Sequence, residues 1–459
     1  MSKLRIGLDF DGVIVDRAVG FPLPGHFYAD TVKDMHVTII TARPKYGDKA
    51  KSWGYRIERT MEHWGFRYDK VVYCNTPEEK IKYINKCGNI DLYVEDWQPV
   101  AEKLKVPTIL FGPQAGLYLD LPHVLDWNGL HKLMTEWKLF SPGPVHLKET
   151  IDIDFSHRCP RMTNLYNQTR YKLRRNYKIS GDYEIIFING SATAAIESVI
   201  STLMRGLTVS VLSEGEFGNR LVSICSRHGI NVVTEPFPPN HIPYDWTLLC
   251  QFETSCSKAR TDIDKIIEQN HKYGKRVMVD AVSSFGYYPI PAADIIVTSS
   301  AKILGGLPVM GIVIIKKELL NDWDCKYGAP YYLDLRKYVE SAKKGQMPHT
   351  ALLPQLISLN HSLESPIHPA TILTQSVYVT NHLTSLERIG DSPAPVLTFK
   401  FPKEIEPKKI YNQLLDYSIE VYMNPKYHKD QFQISCFSER DMKKYQYMVM
   451  VLNYLLKER

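Results

Sequence analysis

The chain has little surplus charge. Its 56 basic and 50 acidic residues leave a net +6 over 459 residues, which makes no strong case for a nucleic-acid or membrane-surface partner. Long apolar runs are also missing. The longest candidate, Leu307 to Ile315, is interrupted by Pro308 and Gly311 and ends at Lys316, so no bilayer-spanning helix is expected. The opening MSKLRIGLDFDG has neither the apolar stretch nor the small-residue cleavage site of a secretory signal. Eight cysteines are scattered without the paired spacing of a metal site. They read as free thiols and point to a reducing, cytoplasmic compartment. There is no internal repeat and no low-complexity segment, and with 44% hydrophobic and 23% charged residues wholesale disorder is excluded.

What is present is enough chain for two or three domains. In the first third, short β-branched runs (Leu4–Leu8, His36–Ile40, Lys70–Cys74, Leu92–Glu95, Thr108–Phe111) alternate with amphipathic stretches such as Lys49–Trp64 and Pro77–Lys86. That alternation predicts a parallel sheet wrapped by helices. A helical pattern over Gly129–Trp137 closes the unit, and FSPGPV, Phe140 to Val145, punctuates the chain. The boundary is set near 138, giving domains 1–138 and 139–459. The pattern then restarts at larger scale, with strands expected from Ile185–Ile188 to Ile312–Ile315. A smaller α+β lobe follows after about Thr350. The expected class is α/β, with that small lobe α+β.

The first chemical signal is LDFDGVIVD. Asp9 and Asp11 stand two apart just past the first strand, at the edge where open α/β sheets bind ligands. One carboxylate of such a pair can attack a phosphoryl group, and the other can protonate the leaving oxygen. Oxygen ligands also suit a hard cation such as Mg²⁺. Thr41 follows the second strand and can bond a phosphoryl oxygen. Lys80 opens a helix and can neutralise phosphate. Glu95 and Asp96 end another strand and can complete a metal shell. An isolated pair of this kind is more often a solvated turn, whereas four elements in order argue for a site. Residues 1–138 resemble the haloacid dehalogenase (HAD) superfamily. The resemblance implies a Rossmann-like phosphohydrolase with Asp9 as nucleophile and Asp11 as acid/base. Thr41 and Lys80 would bind phosphate, and Asp9, Asp11, Glu95 and Asp96 would lie around Mg²⁺. The segment between Asp16 and His36 is too short for a full cap domain. Related phosphonoacetaldehyde hydrolases carry alanine where Asp11 stands, so phosphate-ester hydrolysis is favoured over carbon–phosphorus cleavage.

Three further features lie in the larger unit. Gly190-Ser191-Ala192-Thr193 joins a strand to a helix and can cradle an anion. Asp280 ends an apolar strand, where a carboxylate is costly unless paired. Lys302 lies between an apolar strand and a Gly-Gly turn, where a lysine can act as a Schiff-base amine. Anion cradle, aspartate and lysine match the phosphate, ring nitrogen and aldehyde of pyridoxal 5'-phosphate (PLP). Residues 139–459 resemble fold-type I PLP-dependent transferases, with a large α/β domain and a small C-terminal lobe. Within them they are similar to the 2-aminoethylphosphonate–pyruvate aminotransferase group. The resemblance is carried by FSPGPV, SHRCP (Ser156–Pro160), GEFGNRLVSICSRHGI (Gly215–Ile230), FETS (Phe252–Ser255), VDAVSSFG, YYLDL (Tyr331–Leu335) and MPHT (Met347–Thr350).

The resemblance implies Lys302 as the lysine bonded to the cofactor, Asp280 as ring partner, and Ser191, Ala192 and Thr193 as the phosphate cradle. Thr254 or Ser255 would lie near the ring, and Phe217 is a candidate ring neighbour. Thr350 would reach the cofactor of a second subunit, which implies a homodimer. One departure stands out: Gln433, in FQISCF, occupies the place of the family's carboxylate-gripping arginine, and Cys256 replaces a threonine. Gln cannot make the charged bidentate contact, which leaves Arg158 or Arg440 as substitute cations. Two enzymatic readings follow. One is a bifunctional enzyme that transaminates a small phosphono- or phospho-carbonyl compound and removes a phosphate. The other is a PLP-dependent lyase or decarboxylase acting on an amino-acid adduct, for instance on modified nucleic acid. A non-catalytic scaffold is the third reading, and retention of Lys302, Asp280 and the cradle disfavours it. The cluster Lys172, Arg174, Arg175, Lys178 reads as a solvated helix face rather than a nucleic-acid patch.

Overall fold

The structure is a computed structural model. It describes residues 3–17, 22–43, 57–113, 121–141, 151, 153–234, 243–320, 328–423 and 429–457. The start of the helix expected from Lys49 and the FSPGPV segment beyond Ser141 lie outside these residues.

Six strands form the first sheet: β1 (Arg5–Asp9), β2 (His36–Thr41), β3 (Lys70–Tyr73), β4 (Leu92–Glu95), β5 (Thr108–Phe111) and β6 (His123–Val124). Their order is β3-β2-β1-β4-β5-β6, and every pairing is parallel. Residues from Ile6 to Asp9 and from Leu92 to Glu95 are all buried, as strands covered on both faces require. The order reverses between β1 and β4, so Asp9 and Glu95 end neighbouring strands at a switch point.

Two short strands, β7 (Lys138–Leu139) and one in the C-terminal lobe (Ile419–Glu420), pair in parallel and tie the end of the first unit to that lobe. Thr108 N lies 3.1 Å from Met450 Sδ, and Tyr417 donates to the Asp91 carbonyl at 3.1 Å. One apolar cluster runs from Ile6 and Leu8 through Phe140 to Leu452 and Leu455. The lobe itself is a four-stranded antiparallel sheet backed by helices Pro369–His382, Pro407–Asp416 and Met442–Lys457.

The second sheet has seven strands. They are β8 (Tyr183–Asn189), β9 (Thr208–Leu212), β10 (Asn231–Val233), β11 (Trp246–Cys250), β14 (Arg276–Asp280), β15 (Ile295–Ser299) and β16 (Met310–Lys316), in the order β10-β9-β11-β14-β15-β16-β8. All run the same way except β16, which is antiparallel to both neighbours. The reason is length. Residues 300–309 are too few for a crossover, which needs about a dozen or more residues, so the chain must turn straight back. That turn carries Lys302. The other strands deliver Gly190, Phe252 and Asp280 to the same carboxyl edge.

Candidate active sites

At the first sheet's edge, Lys80 occupies the centre. Its helix, Pro77–Lys86, starts where the Thr76 side chain accepts from Glu79 N at 3.2 Å. Lys80 Nζ lies 2.7 Å from Asp9 Oδ2 and 2.7 Å from Glu95 Oε2, with all three side chains buried. Burial disfavours the ammonium, but Asp9 and Glu95 more than offset this and raise its pKa. Burial, and then the charge of Asp9, pushes the Glu95 carboxyl well above the usual range, with only partial relief from Lys80. Asp96 is raised by the same two causes and partly held down by Arg17, whose Nη2 is 2.7 Å away. Thr41 is fully buried, and its hydroxyl accepts from Arg43 N at 3.1 Å.

One oxygen each from Asp9, Glu95 and Asp96 can be chosen so that all lie within 4.8 Å of one another. Three hard oxygen donors around a site with excess negative charge fit a divalent ion such as Mg²⁺. Asp11 departs from the expected metal shell of four acids. Arg43 forks onto its carboxylate, with Nε at 2.8 Å and Nη2 on the other oxygen, so Asp11 stands outside the three-residue group. Gly12 has φ +78°, and a Cβ there would meet Asp96 Oδ2 at 1.9 Å. The loop after Asp11 can therefore approach Asp96 only as glycine. A 460 Å³ cavity opens over this group, with Arg17, Arg43 and Trp97 at its walls. Arg43 and Arg17 were not anticipated. The only signal was an arginine two residues beyond Thr41 in the TIITARP motif.

In the second sheet, Ala192, Thr193, Phe217, Thr254, Asp280 and Lys302 line one pocket, with Arg220, Cys250 and Phe252 among the other wall residues. Its cavity is only 40 Å³, so a planar ring can enter only if Lys302 or a neighbour swings aside. The larger cavity of 730 Å³ lies elsewhere, against Lys132, Gly305, Ser362 and Lys443. Chemistry rather than volume marks the site. Lys302 has φ +59°, a left-handed conformation in a non-glycine residue, which costs about 1–3 kcal/mol and is typical of functional positions. Close packing lowers its pKa, and Asp280 only partly opposes this, a shift towards the neutral, nucleophilic amine. Asp280 is pushed up to about 6, mainly by burial, against the Val282 N–H bond at 2.9 Å and the charge of Lys302. A cationic ring nitrogen would relieve that cost.

Helix Ala192–Leu203 begins with no side-chain cap from Ser191, leaving its first N–H groups to an anion. Gly190 bends the chain into it at φ +128°. These features fit pyridoxal phosphate by donor chemistry: an open helix start, a buried carboxylate and a lysine.

Glu253, absent from the sequence expectations, organises the pocket wall. Its buried carboxylate accepts from Phe217 N at 3.2 Å, Gly218 N at 3.0 Å and Ser255 N at 3.2 Å. It thereby fixes Phe217, whose ring centre is 5.7 Å from Lys302 Nζ. The amide nitrogen of Gln433 is already engaged. Its amide donates to the Thr254 carbonyl and, at 3.0 Å, to Thr398 Oγ1. The two substitute cations lie outside this pocket. Arg158 donates to the Met347 carbonyl at 3.0 Å and Arg440 to the Ser365 carbonyl at 2.8 Å; neither lines the pocket. Thr350 is exposed, and its carbonyl accepts from Asn189 at 2.7 Å, outside the pocket of its own chain. Lys172 and Arg174 brace their helix, with bonds to Asn360 at 2.8 Å and the Tyr183 carbonyl at 2.7 Å.

Residues 248–373 match the family model "Aminotransferase class-V". A 2-aminoethylphosphonate–pyruvate transaminase of Bacillus cereus is 28% identical over 334 residues, covering 63% of this chain and 95% of that protein. One from Pseudomonas putida is 33% identical over 162 residues, 31% of this chain and 43% of that protein. Among solved structures, an aspartate aminotransferase from Thermus thermophilus superposes with TM-score 0.62 at 20% identity, covering 69% of this chain and 99% of that one. An alanine–glyoxylate aminotransferase from Nostoc gives 0.60 at 20% identity, over 70% and 95%. The chain therefore contains the fold of the class-V, fold-type I aminotransferases, and these similarities support a PLP-dependent transferase for this part.

Proposed function

We propose that the chain is a bifunctional enzyme. The part from about residue 139 transaminates a small carbonyl compound bearing a phosphonate or phosphate. The part before it hydrolyses a phosphate ester with Mg²⁺, as HAD phosphohydrolases do. The observation that carries the first half is Lys302 and Asp280 in one pocket beside an uncapped helix start. When bound, the cofactor supplies an electron sink for the substrate's amine-bearing carbon. Asp280 holds the ring nitrogen's proton, and Ser191, Ala192 and Thr193 hold the phosphate. Lys302 Nζ takes the proton from the amine-bearing carbon. Thr350 is assigned to the cofactor site of a second copy in a homodimer.

In the first unit, Asp9 attacks phosphorus and the ester P–O bond breaks. Asp11, released on one oxygen from the Arg43 fork, passes a proton to the leaving oxygen. Water then attacks the phosphoryl-aspartate, Asp11 takes the water proton, and phosphate departs. Asp9, Glu95 and Asp96 hold the metal, and Lys80 and Thr41 steady the phosphoryl oxygens.

The engagement of Gln433 with Thr254 and Thr398 favours a second reading, a lyase or decarboxylase acting on an amino-acid adduct. One experiment separates them. The holoenzyme's visible absorption band is followed while alanine, glutamate, aspartate and 2-aminoethylphosphonate are added in turn. Conversion of the band to the pyridoxamine form by any donor supports transamination. A band that no donor discharges sinks that reading and moves the second ahead.

A further inference from the structure

The cofactor pocket is lined by three ionisable groups besides Cys250: Asp280, Lys302 and Arg220. With Asp280 the acid and Lys302 the reactive amine, the guanidinium of Arg220 is the standing cation that an entering anion meets. Arg220 projects from the helix Glu216–Arg227 and remains exposed at the pocket's rim. Its Nη1 donates to Thr193 Oγ1 at 3.3 Å, and its guanidinium carbon lies 4.8 Å from the Phe217 ring centre. Among the described residues no carboxylate lies within ion-pair distance of it. A guanidinium with a hydroxyl as its polar partner keeps most of its five donors for a ligand. Its contact also leaves the Thr193 proton to point at the same ligand. The ring beneath restricts the side chain's motion, and a planar fork suits two oxygens of one anion.

We infer that Arg220 is an anion-gripping residue of this pocket, taking a phosphate or phosphonate dianion together with the Thr193 hydroxyl. Two sources share that chemistry, the cofactor's own phosphate and a phosphonate or phosphate on the substrate. The inference rests on the PLP reading of the pocket. It locates the cation that Gln433, Arg158 and Arg440 do not provide there.

The test compares wild type with Arg220→Gln and Arg220→Lys, each full length and checked for an unchanged melting profile. Apo protein is titrated with PLP and with pyridoxal, which lacks the phosphate. Holoenzyme is titrated with 2-aminoethylphosphonate and with the uncharged-tail analogue ethanolamine, reading the visible band. Loss of one charged contact is expected to cost about 10- to 100-fold in affinity. Weakened PLP with unchanged pyridoxal assigns the grip to the cofactor. Unchanged PLP with weakened 2-aminoethylphosphonate, and unchanged ethanolamine, assigns it to the substrate. The lysine variant should recover part of the loss in either case. If Arg220→Gln matches wild type with all four probes, the inference is overturned. If wild type itself takes up no PLP, the underlying reading fails instead, a result visible before any variant is made.

Discussion

Lys80 and Lys302 make the most instructive comparison in the chain. Each stands at the carboxyl edge of a sheet, and each is packed into protein. Lys80 sits 2.7 Å from two buried carboxylates and is held charged. Lys302 has no carboxylate within ion-pair distance among the described residues, and its pKa is lowered. Burial acts in the same direction on both; partner distance decides the outcome. One ammonium is thereby favoured and the other disfavoured, which suits the proposed roles of phosphate cation for Lys80 and reactive amine for Lys302. The second sheet separates Asp280 from Lys302 enough to leave the amine free, whereas the first sheet brings Asp9 and Glu95 together around Lys80.

The largest expected effect breaks the two functions apart. Lys302→Ala should lower amino-group transfer by at least about a thousandfold, the scale of losing a covalent nucleophile, and leave phosphate-ester hydrolysis intact. Asp9→Asn should do the reverse. Chelation of Mg²⁺ should abolish hydrolysis alone. Loss of both activities in either variant would mean the two sites are not independent.

Stability gives the next contrast. Lys80→Met strands two buried carboxylates and should cost about 3–5 kcal/mol in denaturant unfolding at neutral pH. Lys302→Ala in the apo protein should cost under about 1 kcal/mol, since it removes a desolvated amine and leaves the left-handed backbone as it was. Equal losses would erase the distinction drawn between the two residues.

A third effect concerns Asp280. Its folded pKa, about 6, lies above its ordinary 3.8. The folded state thus holds a proton that the unfolded state releases, and apo stability falls as pH rises from about 4 to 6. The shift corresponds to roughly 3 kcal/mol. Asp280→Asn should therefore flatten the apo melting profile over that window and stabilise the apo protein above pH 6. It should also remove the ring partner and weaken PLP. A variant with the wild-type pH profile would contradict the assignment. The smallest effect belongs to Gln433→Ala, expected to cost about 1–2 kcal/mol through the stranded Thr254 carbonyl, read as a lowered melting temperature.

Local periodicity made much of this architecture legible. β4, β5 and the helix Pro77–Lys86 have the bounds their patterns suggested. Asp9, Lys80, Glu95, Asp280 and Lys302 were visible because each ends or follows a strand, where chemistry and chain position coincide. Contacts between distant segments were not visible. Nothing in TIITARP says that Arg43 will fork onto Asp11, 32 residues away. Glu253 binds backbone amides that no sequence pattern marks. Gln433 was read as a weakened substrate contact, but its amide is spent on Thr254, 179 residues away. The reversal of β16 was implicit in the short 300–309 turn, whereas alternation alone says nothing of that strand's direction.

Lys302, and not the more deeply buried Lys80, is the reactive amine in this account. The direct measurement is to incubate the full chain with PLP, reduce it with borohydride, and map the modified peptide by mass spectrometry. The account predicts one pyridoxyl label, on Lys302, with Lys80 unmodified. A label confined to other lysines, or no stoichiometric label on Lys302, would contradict it.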